Sequence, residues 1–107
     1  MPCYVIAEID VTDDGWIPEY AAKAHDIVHR HGGRYLTRTG NVEALEGGPE
    51  TPTIMAVIEF PDARAVMAFA EDPDYAPLAT ARQEGSNSRF FLLDTMDVAG
   101  TIDYLPS

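Results

Sequence analysis

The amino-acid sequence predicts an α+β fold in which four strands and two helical regions follow one another as βαββαβ. Three observations predict it. The opening "YVIAEIDV" alternates in polarity like a strand. An apolar helical stripe that starts at Ile17 ends at a double glycine. The run "TIMAVIEF" is followed by a second helical region and then by the aromatic strand "RFFLLDT".

Tyr4 to Val11 is read as the first strand, with Val5, Ala7, Ile9 and Val11 on one face and Tyr4, Ile6, Glu8 and Asp10 on the other. In the turn "TDDG", Thr12, Asp13 and Asp14 are all suitable helix caps. The first helix runs from Ile17 to about His31, with Ile17, Tyr20, Ala21, Ala24 and Val28 along its stripe and His31 ending it. Gly32 is the expected left-handed cap. Arg34 to Thr39 is the second strand, and "GNVEALEGGPETP" is an irregular hairpin connection. Thr53 to Phe60 is apolar enough to be central in a sheet. Pro61 and Asp62 open a helix to about Glu71 with Val66, Phe69 and Ala70 inward, and a short helix follows from about Tyr75 to Glu84. "GSNS" reads as a turn before the last strand.

With right-handed crossovers, this order gives an antiparallel sheet of strand order 4-1-3-2 with both helical regions on one face, a ferredoxin-like plait. Its other face carries Tyr4, Ile6, Met55 and Val57 mixed with Glu8 and Glu59, too apolar to leave in water. A second copy of the chain would cover it. The 107 residues are read as one domain, with a core at about 4–95 and a tail at 96–107 that could form an arm or an edge strand.

Composition narrows the function classes. Eighteen acidic against seven basic residues give a net charge of −11, which disfavours nucleic acid and anionic membranes as partners. No apolar run approaches the roughly 20 residues that span a bilayer. The start, "MPCYVIAEIDV", lacks the features of a secretory signal, and Cys3 is the lone cysteine, so a cytoplasmic location is expected.

Six landmarks recur together in a known order: "YVIAEIDVTD", "GGRYL", "LEG", "VIEFP", "DPDYAPLATAR" and "NSRFFLLD". On these, the chain over about residues 4–95 resembles domain-of-unknown-function family 1330. That family sits in the dimeric α+β barrel superfamily beside antibiotic-biosynthesis monooxygenases and muconolactone isomerase-like proteins. The resemblance implies a homodimer in which two plaits form a barrel, and it implies no particular reaction. The positions that match the family pattern are Glu46, Glu59, Tyr75 and Arg82. Superfamily enzymes that use a strand-borne His–Asp pair or a haem-ligating His have no counterpart here, because all three histidines fall on or just after the first helix.

The candidate site residues come from charge in apolar surroundings. "HDIVH" has the spacing of two zinc ligands on a helix, but that spacing puts His25 and His29 on the flank away from the stripe with no third ligand in reach, so no metal is expected. His31 is a capping or packing residue. The glycines after the helix serve the turn, since a phosphate cradle needs them before a helix.

A hairpin centred near Glu46 and Gly47 brings Arg34 opposite Glu59 and Arg38 near Met55. Arg34 and Glu59 then form either an interface salt bridge or a grip on a small carboxylate or enolate. Tyr75 and Arg82 lie two helical turns apart. Arg82 either binds a carboxylate bidentately or ties its helix to Glu84 or Asp94.

Two functional expectations follow. One is a cofactor-independent enzyme acting on a small organic acid or carbonyl compound by proton transfer, isomerisation or oxygenation. In it Glu59 is the base, Arg34, or else Arg38 or Arg82, stabilises the developing oxyanion, and Arg38, Glu46, Tyr75 and Arg82 bind the ligand. The other is a non-catalytic dimeric module that binds a small ligand.

Overall fold

The computed structural model describes residues 2–94. Its elements are β1 (Cys3–Val11), α1 (Ile17–Arg30), β2 (Arg34–Thr39), β3 (Ile54–Phe60), α2 (Ala63–Ala70), α3 (Ala76–Glu84) and β4 (Ser86–Leu93). The strands form one antiparallel sheet in the order β2-β3-β1-β4, the expected 4-1-3-2 order read from the opposite edge. The expected arm or edge strand beyond residue 95 lies outside the described residues.

Alternation along the strands decides the layers. Cys3, Val5, Ala7 and Ile9 of β1 and Ala56, Ile58 and Phe60 of β3 are buried beneath the helices. Ala24, Ile27 and Val28 of α1, Val66 and Phe69 of α2 and Leu78 of α3 close over them. The opposite face carries Tyr4, Ile6, Met55 and Val57, each only partly covered, with Phe91 and Leu93 exposed beside them.

Local chemistry sets the element ends. Gly32 takes φ 79, while the amide of Gly32 donates to the His29 carbonyl and that of Gly33 to the Val28 carbonyl, so α1 ends in a Schellman motif. Asp62 caps α2 by accepting from the amide of Ala65 at 2.8 Å. The cap expected for α1 is different. None of Thr12, Asp13 or Asp14 caps it, because Asp13 turns back to accept from the Gly15 amide at 2.9 Å, and Pro18 in the first turn removes a donor that a cap would serve.

Three further expectations are corrected. "GSNS" is not a turn. Gly85 alone makes the bend, and β4 already starts at Ser86, paired with Val11. Ile27 belongs to the buried stripe and Ala21 does not, while Ala70 is exposed. The largest change is in β2. A β-bulge at Leu36 places Arg38 opposite Ala56, not beside Met55. One extra residue reverses the face of everything after it. Arg34 therefore stays on the open face while Arg38 points to the helix side.

Candidate functional site

Between α1 and the helix-facing side of the sheet lies a cleft of about 450 Å³. Its walls are mostly apolar, with Ala7 and Ile9 from β1, Ala56 and Ile58 from β3, and the rings of Trp16, Tyr20, Tyr35 and Phe90. Small residues at the centre of the sheet, Ala7 and Ala56, leave the space that larger side chains would fill. A volume of this size suits a flat, drug-sized or smaller molecule.

Each aromatic wall is positioned by a specific contact. Trp16 packs edge-on against Tyr20, and its indole Nε1 donates to the Gly85 carbonyl at 3.2 Å. The same oxygen accepts from the amides of Thr12 and Asp13 at 2.9 and 3.0 Å, so one carbonyl ties the β1–α1 turn to the α3–β4 junction. Gly85 has an ordinary φ of −103. What it needs is space, because a Cβ there would lie 2.3 Å from Trp16 Cδ1 and 2.9 Å from the Asp13 carbonyl oxygen. Tyr20 and Tyr75 share a hydrogen bond between their hydroxyls at 2.5 Å. Burial, reinforced by the Tyr75 hydroxyl, holds the Tyr20 phenol far above the usual tyrosine range, with Arg82 pulling it the other way. Burial also raises Tyr35, against the opposing pull of the Arg38 guanidinium.

At the rim, the Arg38 guanidinium lies 3.9 Å from the centre of the Tyr35 ring, and its Nη2 is 2.7 Å from His25 Nδ1. Arg38 is the donor, so His25 presents a bare Nδ1 to it and carries its proton on Nε2. The His25 ring is half-buried and stacks parallel to Tyr35 with ring centroids 5.9 Å apart. His25 is thus not on a fully solvated flank as the helix spacing implies; His29 is. Among the described residues, no group of three or more His, Cys, Asp or Glu side chains is placed to hold a metal ion.

The sequence candidates fall into separate places. Arg34 and Glu59 pair at 2.9 Å, as the hairpin register implies, but on the open face and away from the cleft. Arg38 lines the cleft. Glu46 is exposed in the β2–β3 connection. Tyr75 is buried behind Tyr20. Arg82 is buried and does not tie its helix to Glu84 or Asp94; its Nη1 donates to Ser88 Oγ and its guanidinium stacks over Phe90 at 4.2 Å. Trp16, Tyr20, Tyr35 and Phe90 escaped the sequence reading as site residues. Only the aromatic-helical spacing of Trp16 and Tyr20 could have signalled two of them.

His31 forms a different cluster. As the C-cap of α1 it packs edge-on against Phe69, and its Nε2 lies 2.7 Å from Asp72 Oδ2. Arg30 adds bonds of 3.0 Å to both Asp72 and Asp74. The His31 hydrogen bond first, then the Asp74 amide and Arg30, hold the Asp72 carboxyl below the usual carboxylate range. The cluster fastens α1 to the α2–α3 turn.

The ferredoxin-like α+β plait is also the fold of known proteins. The family model "Domain of unknown function (DUF1330)" matches residues 2–96, and the chain belongs to that family. No curated protein sequence matches it. Among solved structures it is similar to a protein of unknown function from Rhodopseudomonas palustris, with 17% identity, 90% of this chain and 83% of that chain covered and a TM-score of 0.76. It is similar to SnoaB, a cofactor-independent oxygenase from Streptomyces nogalater, with 16% identity, coverage of 91% and 95% and a TM-score of 0.63. An antibiotic biosynthesis monooxygenase gives 14% identity, coverage of 91% and 100% and a TM-score of 0.58. At these identities the likeness is one of fold. No helix among the described residues is long and apolar enough to cross a membrane.

Proposed function

We propose that the protein is a small-molecule enzyme that needs no resident cofactor and removes a proton from a flat organic acid or carbonyl compound held in the cleft. The observation that carries this reading is the cleft itself, an aromatic slot with one guanidinium at its rim. The C–H bond next to the substrate carbonyl breaks, its electron pair forms the C=C bond of the enolate while the C=O π pair moves onto the oxygen, and Arg38 turns from His25 to hold that oxygen. This frees His25 Nδ1, 2.7 Å away in the structure, to take the proton. The resulting enolate is the electron-rich species that isomerises on reprotonation or reduces dioxygen, which fits an oxygenase among the fold's neighbours.

In this reading Arg34 and Glu59 serve the open face. That face meets a second copy of the chain, and the cytoplasm is the setting. A second reading, a non-catalytic ligand-binding module, is favoured by one observation: the cleft lining holds no carboxylate, thiol or histidine.

The test uses 2-tetralone, a flat enolisable ketone, in deuterium oxide. Proton NMR should show its C1 hydrogens exchanging faster with protein than in buffer, and Arg38→Met should slow the catalysed exchange roughly a hundredfold. Bound tetralone without catalysed exchange would instead establish the binding module. No binding at all would sink both readings.

A further inference from the structure

The charge behind the aromatic wall takes the ligand's chemistry one step further. Arg82 is only 6% exposed. Arginine is seldom buried this deeply without an acidic partner. Here, among the described residues, no carboxylate lies within ion-pair distance of it, although Arg30 and Arg34 both have one. Ser88 accepts from its Nη1, and its Nε is buried with no hydrogen-bond partner among the described residues. The two phenols nearby do not neutralise it, because Tyr20 and Tyr75 bond to each other and burial keeps Tyr20 protonated.

The guanidinium stacks over Phe90 at 4.2 Å and lies 6.0 Å from the centre of the Tyr20 ring. Both rings are walls of the cleft. The positive charge therefore lies against two rings that also border the ligand space, in surroundings too apolar to screen it well. The fold holds it there. Alternation along β4 puts Ser86, Ser88 and Phe90 on the helix-facing side, and the Ser86 hydroxyl donates to the Arg82 carbonyl, fixing the end of α3 above that row.

We propose that Arg82 is a specificity-determining residue that makes the cleft select ligands bearing a negative charge, such as a carboxylate, phenolate or enolate, over their neutral analogues. The inference rests on the cleft being the ligand site. Arg82 acts through Phe90 and Tyr20 and does not touch the reacting atoms. It differs from Arg38, which is exposed at the rim and already bonded to His25. In a chain of net charge −11, a buried positive site is a local exception that long-range attraction does not explain.

Two probes of the same shape separate the possibilities, 2-naphthoate and 2-naphthamide, with binding read from quenching of Trp16, the only tryptophan of the chain. The wild type should bind the naphthoate at least tenfold more tightly. Arg82→Met, which keeps the stem over Phe90 and drops the charge, should bind naphthamide within twofold of wild type and lose the preference, while Arg82→Lys restores it. A preference that survives in Arg82→Met, or that never exists in the wild type, overturns the inference. Failure of the wild type to bind either probe would overturn the cleft reading beneath it, which is a separate failure.

If Arg82→Met does not fold, the wild type alone still decides. A preference set by a buried charge should change less than twofold between 0.05 and 0.5 M NaCl, whereas one set by Arg38 at the rim should collapse. A collapse assigns the preference to Arg38 and ends the proposal.

Discussion

On the helix-facing side of the sheet Val5, Ala7, Ala56, Ile58 and Phe60 are buried, and a cleft opens where the side chains are smallest. On the open side Tyr4, Ile6, Met55 and Val57 are half-covered, Phe91 and Leu93 are exposed, and the charges are paired, Arg34 with Glu59 and, at 4.0 Å, Arg89 with Glu8. The two faces are built from alternate residues of the same strands. The packed core and the cleft share the first face. The second pairs its ions and leaves apolar side chains half-covered or exposed between them.

The largest expected effect tests this division directly. Phe60→Ala should cost about 4 kcal/mol, because Phe60 is fully buried and its neighbours can collapse only partly into the gap. Val57→Ala, three residues earlier and on the open face, should cost roughly 1 kcal/mol in the isolated protomer. Urea unfolding at low protein concentration measures both. Similar costs would mean that the open face is packed as well as the other.

Gly85→Ala should follow at about 2 kcal/mol, since the new methyl must push Trp16 off its hydrogen bond to the Gly85 carbonyl. The same variant should weaken naphthamide binding, which a substitution that merely destabilises the fold at a distance from the cleft would not do. Normal unfolding with normal binding would show that Trp16 has room to spare.

Acid titration gives the next effect. Asp72 has a folded-state pKa below its unfolded value, so its contribution is complete above about pH 4 and is lost as pH falls through the folded value. Thermal midpoints of Asp72→Asn should therefore lie below wild type near pH 7 and converge with it toward pH 2. A constant gap down to pH 2 would remove the carboxylate from the account. The smallest effect belongs to the open face. A double-mutant cycle on Arg34→Gln and Glu59→Gln should give a coupling below about 1 kcal/mol in the protomer, because the Arg34 side chain is 68% exposed. A stronger coupling that appears only at high protein concentration would place the pair in a contact between copies.

Most of the architecture was legible because it rests on periodicity. The alternation in β1 and β3 fixed the faces, and the glycines after α1 fixed its end. The pairing of Arg34 with Glu59 was legible from the hairpin alone. Arg38 was not, because "RYLTRT" alternates no differently with or without a bulge, and only the register against β3 reveals that Leu36 is the extra residue. The aromatic cleft was illegible for another reason. Trp16 lies before the first helical residue and Phe90 in an edge strand, and nothing in either neighbourhood encodes that Gly85 brings the two regions together.

The bulge at Leu36 also bears on how this chain should be compared with its relatives. At identities below 20%, a one-residue difference in β2 invites a gap in the long connection that follows, where gaps cost least. A gap placed there pairs Arg38 with the wrong column and credits it to the open face of the sheet. Placed at residue 36, the same gap keeps every later side chain on its own side of the sheet, so a relative one residue shorter would still carry its cation into the cleft.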